Sequence, residues 1–175
     1  LIFMSPTGVT SSIDTGTQLT NAVTFRCTTN YENANFSITT NNMNVGTDLR
    51  FSRVAGTLPC NVNGNGIVVR RGLYSERTAG TSNWAGNTAI SLSTNTYVGV
   101  INQCAGCTFT SGVINIIKGT GSVSLATDVS LSAMGQDLNF STGTINQNGF
   151  NLSIADNLST GAGTVINKGC ANLTF

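Results

Sequence analysis

Apolar and small polar residues alternate at period two along most of the chain, and each alternating phrase closes on Gly or Asn. Gly119-Thr-Gly-Ser-Val-Ser-Leu, Asp137-Leu-Asn-Phe-Ser and Gly149-Phe-Asn-Leu-Ser-Ile show the pattern most clearly. Alternation of this kind, bounded by turn residues, predicts short strands that each bury one side. No stretch places apolar residues at helical spacing, and the density of Gly, Asn, Thr and Ser disfavours a helix. The chain is predicted to be all-β.

The phrases also recur. Gly143-Thr-Ile-Asn-Gln-Asn-Gly-Phe-Asn-Leu-Ser-Ile returns as Gly163-Thr-Val-Ile-Asn-Lys-Gly-Cys-Ala-Asn-Leu-Thr-Phe, an offset of about 20 residues that matches one coil of a solenoid. Asp48-Leu-Arg-Phe-Ser and Asp137-Leu-Asn-Phe-Ser, each followed by Gly-Thr and an aliphatic, predict that the two halves are built from one kind of unit. A short unit cannot shelter its apolar side alone, so stacking follows. The expected architecture is a β-solenoid, like a parallel β-helix, forming a single domain over residues 1–175. One segment breaks the rhythm: residues 70–86, with Arg70, Arg71, Tyr74, Arg77 and Trp84, are read as a long loop leaving the stack.

Composition narrows the function. Only 9% of residues are charged, and eight basic against seven acidic residues leave a net charge of +1. Such a chain has no field for phosphate backbones, so nucleic acid is not an expected partner. A hydrophobic fraction of 39% separates it from disordered chains of low charge. No apolar run approaches the roughly 20 residues needed to span a bilayer, so a membrane-spanning protein is not expected. Leu1-Ile-Phe-Met is too short for an intact signal peptide, and the chain reads as a processed piece of something longer. The first four residues either fill this molecule's own core or reach a neighbour as an added strand, with residues 1–10 then forming an extension.

Five cysteines, Cys27, Cys60, Cys104, Cys107 and Cys170, with few Lys and Glu, fit an oxidising, extracellular setting. The preferred pairing joins Cys27 to Cys60, and Cys170 to Cys104 or Cys107, leaving one thiol over. The Cys104-Ala-Gly-Cys107 spacing also suits half a zinc site or a redox dithiol, but a turn held by structural disulfides is the simpler reading. There is no His, which removes the usual general base and the commonest metal ligand. Asp128 and Asp137 are the closest approach to a glycosidase pair, and both read better as turn residues. No enzymatic activity, cofactor or metal is expected. Sequons at Asn35, Asn139, Asn151, Asn157 and Asn172 read as amides that begin each β phrase and stack along successive coils rather than as glycan acceptors.

Residues 109–169, with Gly-Thr-aliphatic, Asn-Gly-Phe-Asn-Leu-Ser-Ile and Asn-Leu-Ser, resemble the β-repeat segments of large bacterial surface proteins and adhesins. That resemblance implies an exported, elongated, non-enzymatic scaffold. Phe3-Met-Ser-Pro, Val23-Thr-Phe-Arg-Cys27 and Gly72-Leu-Tyr-Ser with Trp84 resemble pilin subunits of the archaic chaperone-usher type, which implies instead an Ig-like β-sandwich completed by a donated strand. The closing alternating strand ending in Tyr that such pilins carry is missing.

The expectation is therefore an extracellular structural or adhesive protein that associates with copies of itself into a cell-surface filament or pilus. Leu1, Ile2, Phe3, Met4, Leu173 and Phe175 are the candidate subunit contacts. Arg70, Arg71, Tyr74, Arg77 and Trp84 are the candidate recognition surface, with surface glycans as a further partner. A monomeric carbohydrate- or ice-binding module is the alternative.

Overall fold

A computed structural model describes the chain except residues 1, 4–9, 15–17, 20–22, 28–35, 42, 54–59, 65, 79–83, 96 and 133–135; for several strand residues, Phe25, Cys27, Phe36 and Cys60 among them, it describes the backbone alone. Every regular element among the described residues is a β-strand, and every strand pairing is parallel. The chain winds as a β-solenoid whose coils have three faces.

The first face stacks Ile2–Phe3, Val23–Cys27, Leu49–Arg53, Gly72–Arg77 and Gly99–Gln103, and continues through residues 122–125 and 144–146 to Val165–Asn167. The second holds Thr10–Asp14, Phe36–Asn41, Cys60–Gly64 and Trp84–Ala85, then Val129–Leu131, Leu152–Ile154 and Leu173–Thr174. The third runs from Gln18–Leu19 through Met43–Val45, Ile67–Val69 and Ile90–Ser93 to Leu158–Thr160. Two long strands, Ile114–Leu125 and Leu138–Asn146, turn the corner between third and first faces without a break, which fuses those faces into one 13-stranded sheet. This arrangement excludes the Ig-like sandwich, whose sheets pair their strands antiparallel.

Register shows what repeats. Leu49 lies beside Leu73, Ile67 beside Ile90, and Ile145 beside Ile166. The echo seen in the sequence at about 20 residues is the last coil, in true register one residue longer: Asn146 meets Asn167 and Leu152 meets Leu173. The other echo has a different meaning. Leu49 belongs to the first face, whereas Leu138 pairs with Ile114 and Leu158 on the third. Period two says which side of a strand points inward, and it cannot say which of three faces the strand occupies.

Inward positions fill the tube with aliphatic side chains, including Val23, Met43, Leu49, Ile67, Leu73, Ile90 and Val123, all fully buried. Each contributes about 1.5–3 kcal/mol through removal from water. An edge-to-face aromatic cluster joins the first and second faces: the Phe51 ring lies 5.1 Å from Trp84 and 6.3 Å from Phe109. The described buried polar residues sit apart from this core, at or beside the corners. Ser75, Gln103 and Gln147 line the corner between first and second faces, Thr88, Thr110 and Gln136 the next, and Asp48 and Lys118 the third. Corners are where the ladder stops and backbone groups lose their partners, and these side chains supply replacements. Thr110 Oγ1 donates to Thr88 O at 3.0 Å, and Gln147 Nε2 donates to Phe150 O at 3.1 Å and Asn172 O at 2.8 Å.

Residues 70–77 are not an excursion. Gly72–Arg77 is a full strand of the first face, paired with Leu49–Arg53 on one side and Gly99–Gln103 on the other. Its alternation is hidden because the inward slot after Leu73 holds Ser75, fully buried, whose hydroxyl donates to Thr108 O at 2.6 Å.

Candidate functional site

The second face is regular except at one coil. Where a strand would lie, residues 108–110 make no ladder pairing, and side chains take over its bonds. Thr108 Oγ1 accepts from Trp84 N at 2.7 Å and donates to Trp84 O at 2.9 Å. Ser111 N donates to Gly86 O at 2.8 Å, where backbone contact resumes. On the next coil, Gln103 Oε1 accepts from Ser130 N at 2.6 Å while its Nε2 donates to Ser130 O at 3.0 Å and Cys107 O at 2.7 Å. Thr, Ser and Gln side chains, able to mimic peptide groups, thus carry the stack across a missing strand.

The turn leading into this coil is Cys104-Ala-Gly-Cys107. Cys107 N donates to Cys104 O at 2.9 Å, the two sulfurs are bonded, and the Cα atoms stand 5.2 Å apart, a normal disulfide span. Gly106 takes φ 68°, a left-handed conformation that carries a penalty for residues with a Cβ. Two adjoining hollows of about 390 and 300 Å³ open beside the turn. Both include Gln103, Cys104, Ala105 and Asp128 in their walls. The larger adds Thr108, Ser130, Ser132, Asn151 and Ser153, and the smaller adds Phe150, which is 36% exposed.

Asp128 is held in place from the next coil: its Oδ1 accepts from Asn151 N at 2.7 Å, and Asn151 Oδ1 in turn accepts from Asn172 N at 3.0 Å. Similar ladders run elsewhere. Asn139 Nδ2 donates to Asn115 Oδ1 at 3.3 Å, Asn115 Nδ2 to Ser91 Oγ at 3.3 Å, and Asn167 Nδ2 to Asn146 Oδ1 at 2.8 Å. The Asn residues of the described sequons therefore bond between coils; Asn35 lies outside the described residues. Asp137 accepts from both the backbone and the side chain of Asn157. Asp128 and Asp137 each bridge coils in a separate ladder, rather than closing a turn on their own backbone.

The predicted recognition cluster is rearranged by the fold. Trp84 is only 2% exposed and belongs to the core, so it is not a surface residue. Arg71 and Arg77 are exposed, but Arg71 grips the buried Asp48 with two bonds, Nε to Oδ1 at 2.9 Å and Nη2 to Oδ2 at 2.5 Å. That bond and the carboxylate's charge push the Arg71 pKa further up. The Arg50 guanidinium lies 4.0 Å over the Tyr74 ring and pairs with Glu76. Neighbouring rungs of the first face thus satisfy one another's charges, and Arg70 supplies a backbone carbonyl to Lys118.

The expected link from Cys170 to Cys104 or Cys107 is not formed. Cys104 and Cys107 bond to each other, and Cys170 is an exposed free thiol. It sits on the last coil, beyond reach of a turn several rungs below. The side chains of Cys27 and Cys60 lie outside the described residues. Among the described residues no group of three or more His, Cys, Asp or Glu is placed to hold a metal ion. Among the described residues no helix is long and apolar enough to cross a membrane.

Of the predicted subunit contacts, Leu1 and Met4 lie outside the described residues. Ile2–Phe3 pairs in parallel with Val23–Cys27 of its own chain, and Ile2 is half exposed. Leu173 packs against the core from the last coil, while Phe175 is 75% exposed. Sequence reasoning missed Gln103, Phe150 and the hydroxyls around the break. The one available signal was the loss of β alternation across Cys104-Ala-Gly-Cys107. Searches of protein-family models, curated proteins and solved structures find no match to this chain.

Proposed function

We propose that this chain is an extracellular structural and adhesive scaffold, a cell-surface filament subunit that stacks on copies of itself. The observation that carries the reading is the architecture: parallel rungs pair coil on coil in one repeating kind of ladder, so the stack can extend by repetition. The outward faces support it. The third face presents uncharged ladders such as Ser91, Asn115 and Asn139, bonded coil to coil, and on the first face Arg71 pairs with Asp48 and Arg50 with Glu76. Such a surface is stiff, and stiffness suits a fibre.

Among the described residues, Ile2–Phe3 pairs with Val23–Cys27 and Val165–Asn167 with Leu138–Asn146 on the first face. In this reading the far side of each of these strands pairs with a strand of another copy. Ile2, Phe3, Leu173 and Phe175 are the contacts in this reading, with Cys170 near enough to the last rung to lock a joint. The test is electron microscopy of the purified protein with and without residues 1–8. Fibres that vanish on deletion while circular dichroism retains the β signal support the proposal. Single particles from the intact chain, or fibres indifferent to the deletion, overturn it.

A further inference from the structure

We infer that the double hollow at the break in the second face binds a neutral oligosaccharide, with one sugar ring against Phe150 and hydroxyls bonded to Asp128, Asn151 and the Ser130 to Ser153 edge. The inference deepens the adhesive part of the proposed function and rests on it. One coil of the face lacks its strand, so the surface steps inward at the Cys104–Cys107 turn, and volumes of about 390 and 300 Å³ fall at the lower end of small-ligand sites. The step is rigid. Gln103 is 4% exposed and its amide is fixed by three bonds to Cys107 and Ser130, while the disulfide closes the turn. A site held this way loses little entropy on binding.

The chemistry of the walls then selects the ligand. Among the described residues no Lys or Arg lines either hollow, so none of them neutralises a phosphate, sulfate or uronate there. Among the described residues Asp128 is the one carboxylate there, and no group of three or more His, Cys, Asp or Glu is placed to hold a metal ion. What remains is a carboxylate among serine and asparagine residues, next to the partly exposed Phe150. A neutral sugar matches both halves, since its hydroxyls donate to a carboxylate and its C–H face packs on an aromatic ring. Asp128 is already oriented, because Asn151 N holds Oδ1 at 2.7 Å. Donation to it from a sugar hydroxyl is a charge-assisted bond, roughly twice as strong as a neutral one.

The experiment is a glycan array carrying neutral, sialylated and uronate-containing oligosaccharides, followed by calorimetric titration of the best neutral ligand. Neutral glycans should bind and acidic ones should not. Asp128→Asn and Phe150→Ala should each weaken binding at least about tenfold, the loss expected for a charge-assisted bond or a hot-spot aromatic. Ser159→Ala, on the third face, should leave it unchanged. Chemical-shift perturbation in the unsubstituted protein locates the ligand independently, at Phe150 and Asn151, should either variant fold poorly. No neutral glycan bound at millimolar concentration, a preference for acidic glycans, shifts elsewhere, or affinity unchanged in either folded variant overturns the inference. Fibres formed without glycan binding would sink this site alone, and glycan binding by a protein that forms no fibres would sink the filament reading alone.

Discussion

The side-chain amide of Gln103 binds the peptide of Ser130 at both ends, accepting from its N–H at 2.6 Å and donating to its C=O at 3.0 Å. A glutamine thus acts as one residue of a β-ladder. Removing it leaves Ser130 N–H, Ser130 C=O and Cys107 C=O without those partners in a part-buried corner. Each unsatisfied buried group costs about 1–3 kcal/mol. Gln103→Ala is therefore expected to lower the unfolding free energy by about 3 kcal/mol or more. Urea denaturation followed by far-UV circular dichroism measures it. An effect below about 1 kcal/mol, the size of an ordinary surface substitution, would show that water replaces the amide.

Lys118 gives a pH prediction. Its side chain is fully buried, its stem passes Gly99 and Gly143, and Nζ donates to Arg70 O at 2.9 Å, two coils below. No carboxylate pairs with it among the described residues, and burial pushes its pKa down. Between the lowered folded value and the ordinary one near 10.4, the unfolded chain holds more protons than the folded one. Stability on this account rises with pH through that window, the penalty being full below the folded pKa and gone above the unfolded one. Lys118→Met should abolish this rise. Thermal unfolding of both proteins from neutral pH to about pH 10.5 checks it, and equal pH slopes would count against an uncompensated lysine.

The strands and their stacking were legible in the sequence because alternation and Asn or Gly turns are local signals. The Gly143 and Gly163 phrases even revealed the last coil to within a residue. What stayed hidden depends on how coils align. Leu73 meets Ile101, 28 positions on, whereas Leu138 meets Leu158 after only 20. With coils of unequal length, no fixed period brings Gln103 beside Ser130 or Lys118 beside Arg70. Trp84 was misplaced for a related reason: its strand is two residues long, too short to alternate, and its burial comes from Phe51 on another face. The hollow was invisible because its origin is an absence of pairing at residues 108–110, in a phrase, Thr108-Phe-Thr, that reads like a strand.

Glycines should divide into two groups. A Cβ on Gly112 would lie 2.2 Å from Thr88 O, inside the stack, so backbone must move to admit it. A Cβ on Gly106 meets nothing within 4 Å, and only its φ of +68° is unfavourable. Gly106→Ala should cost about 1–2 kcal/mol, the left-handed penalty alone. Gly112→Ala should exceed that clearly, or yield no folded protein. Equal losses in parallel denaturation curves would mean that neighbouring coils separate easily, against a closely stacked corner.

Cysteine chemistry offers the most direct check. Peptide mapping without reduction should recover a Cys104–Cys107 link, and iodoacetamide under native conditions should label Cys170, the exposed thiol. The link closes so small a loop that chain entropy assigns it only ~2 kcal/mol. Cys104→Ala with Cys107→Ala should therefore remain folded. Its effect should fall instead on the hollow, since the turn forms one wall of both cavities. A freed turn admits more conformations, and a ligand bound there must fix them again, so the double variant should bind more weakly than its modest stability loss implies. Recovery of a Cys170 link to either turn cysteine would refute this arrangement of the coils.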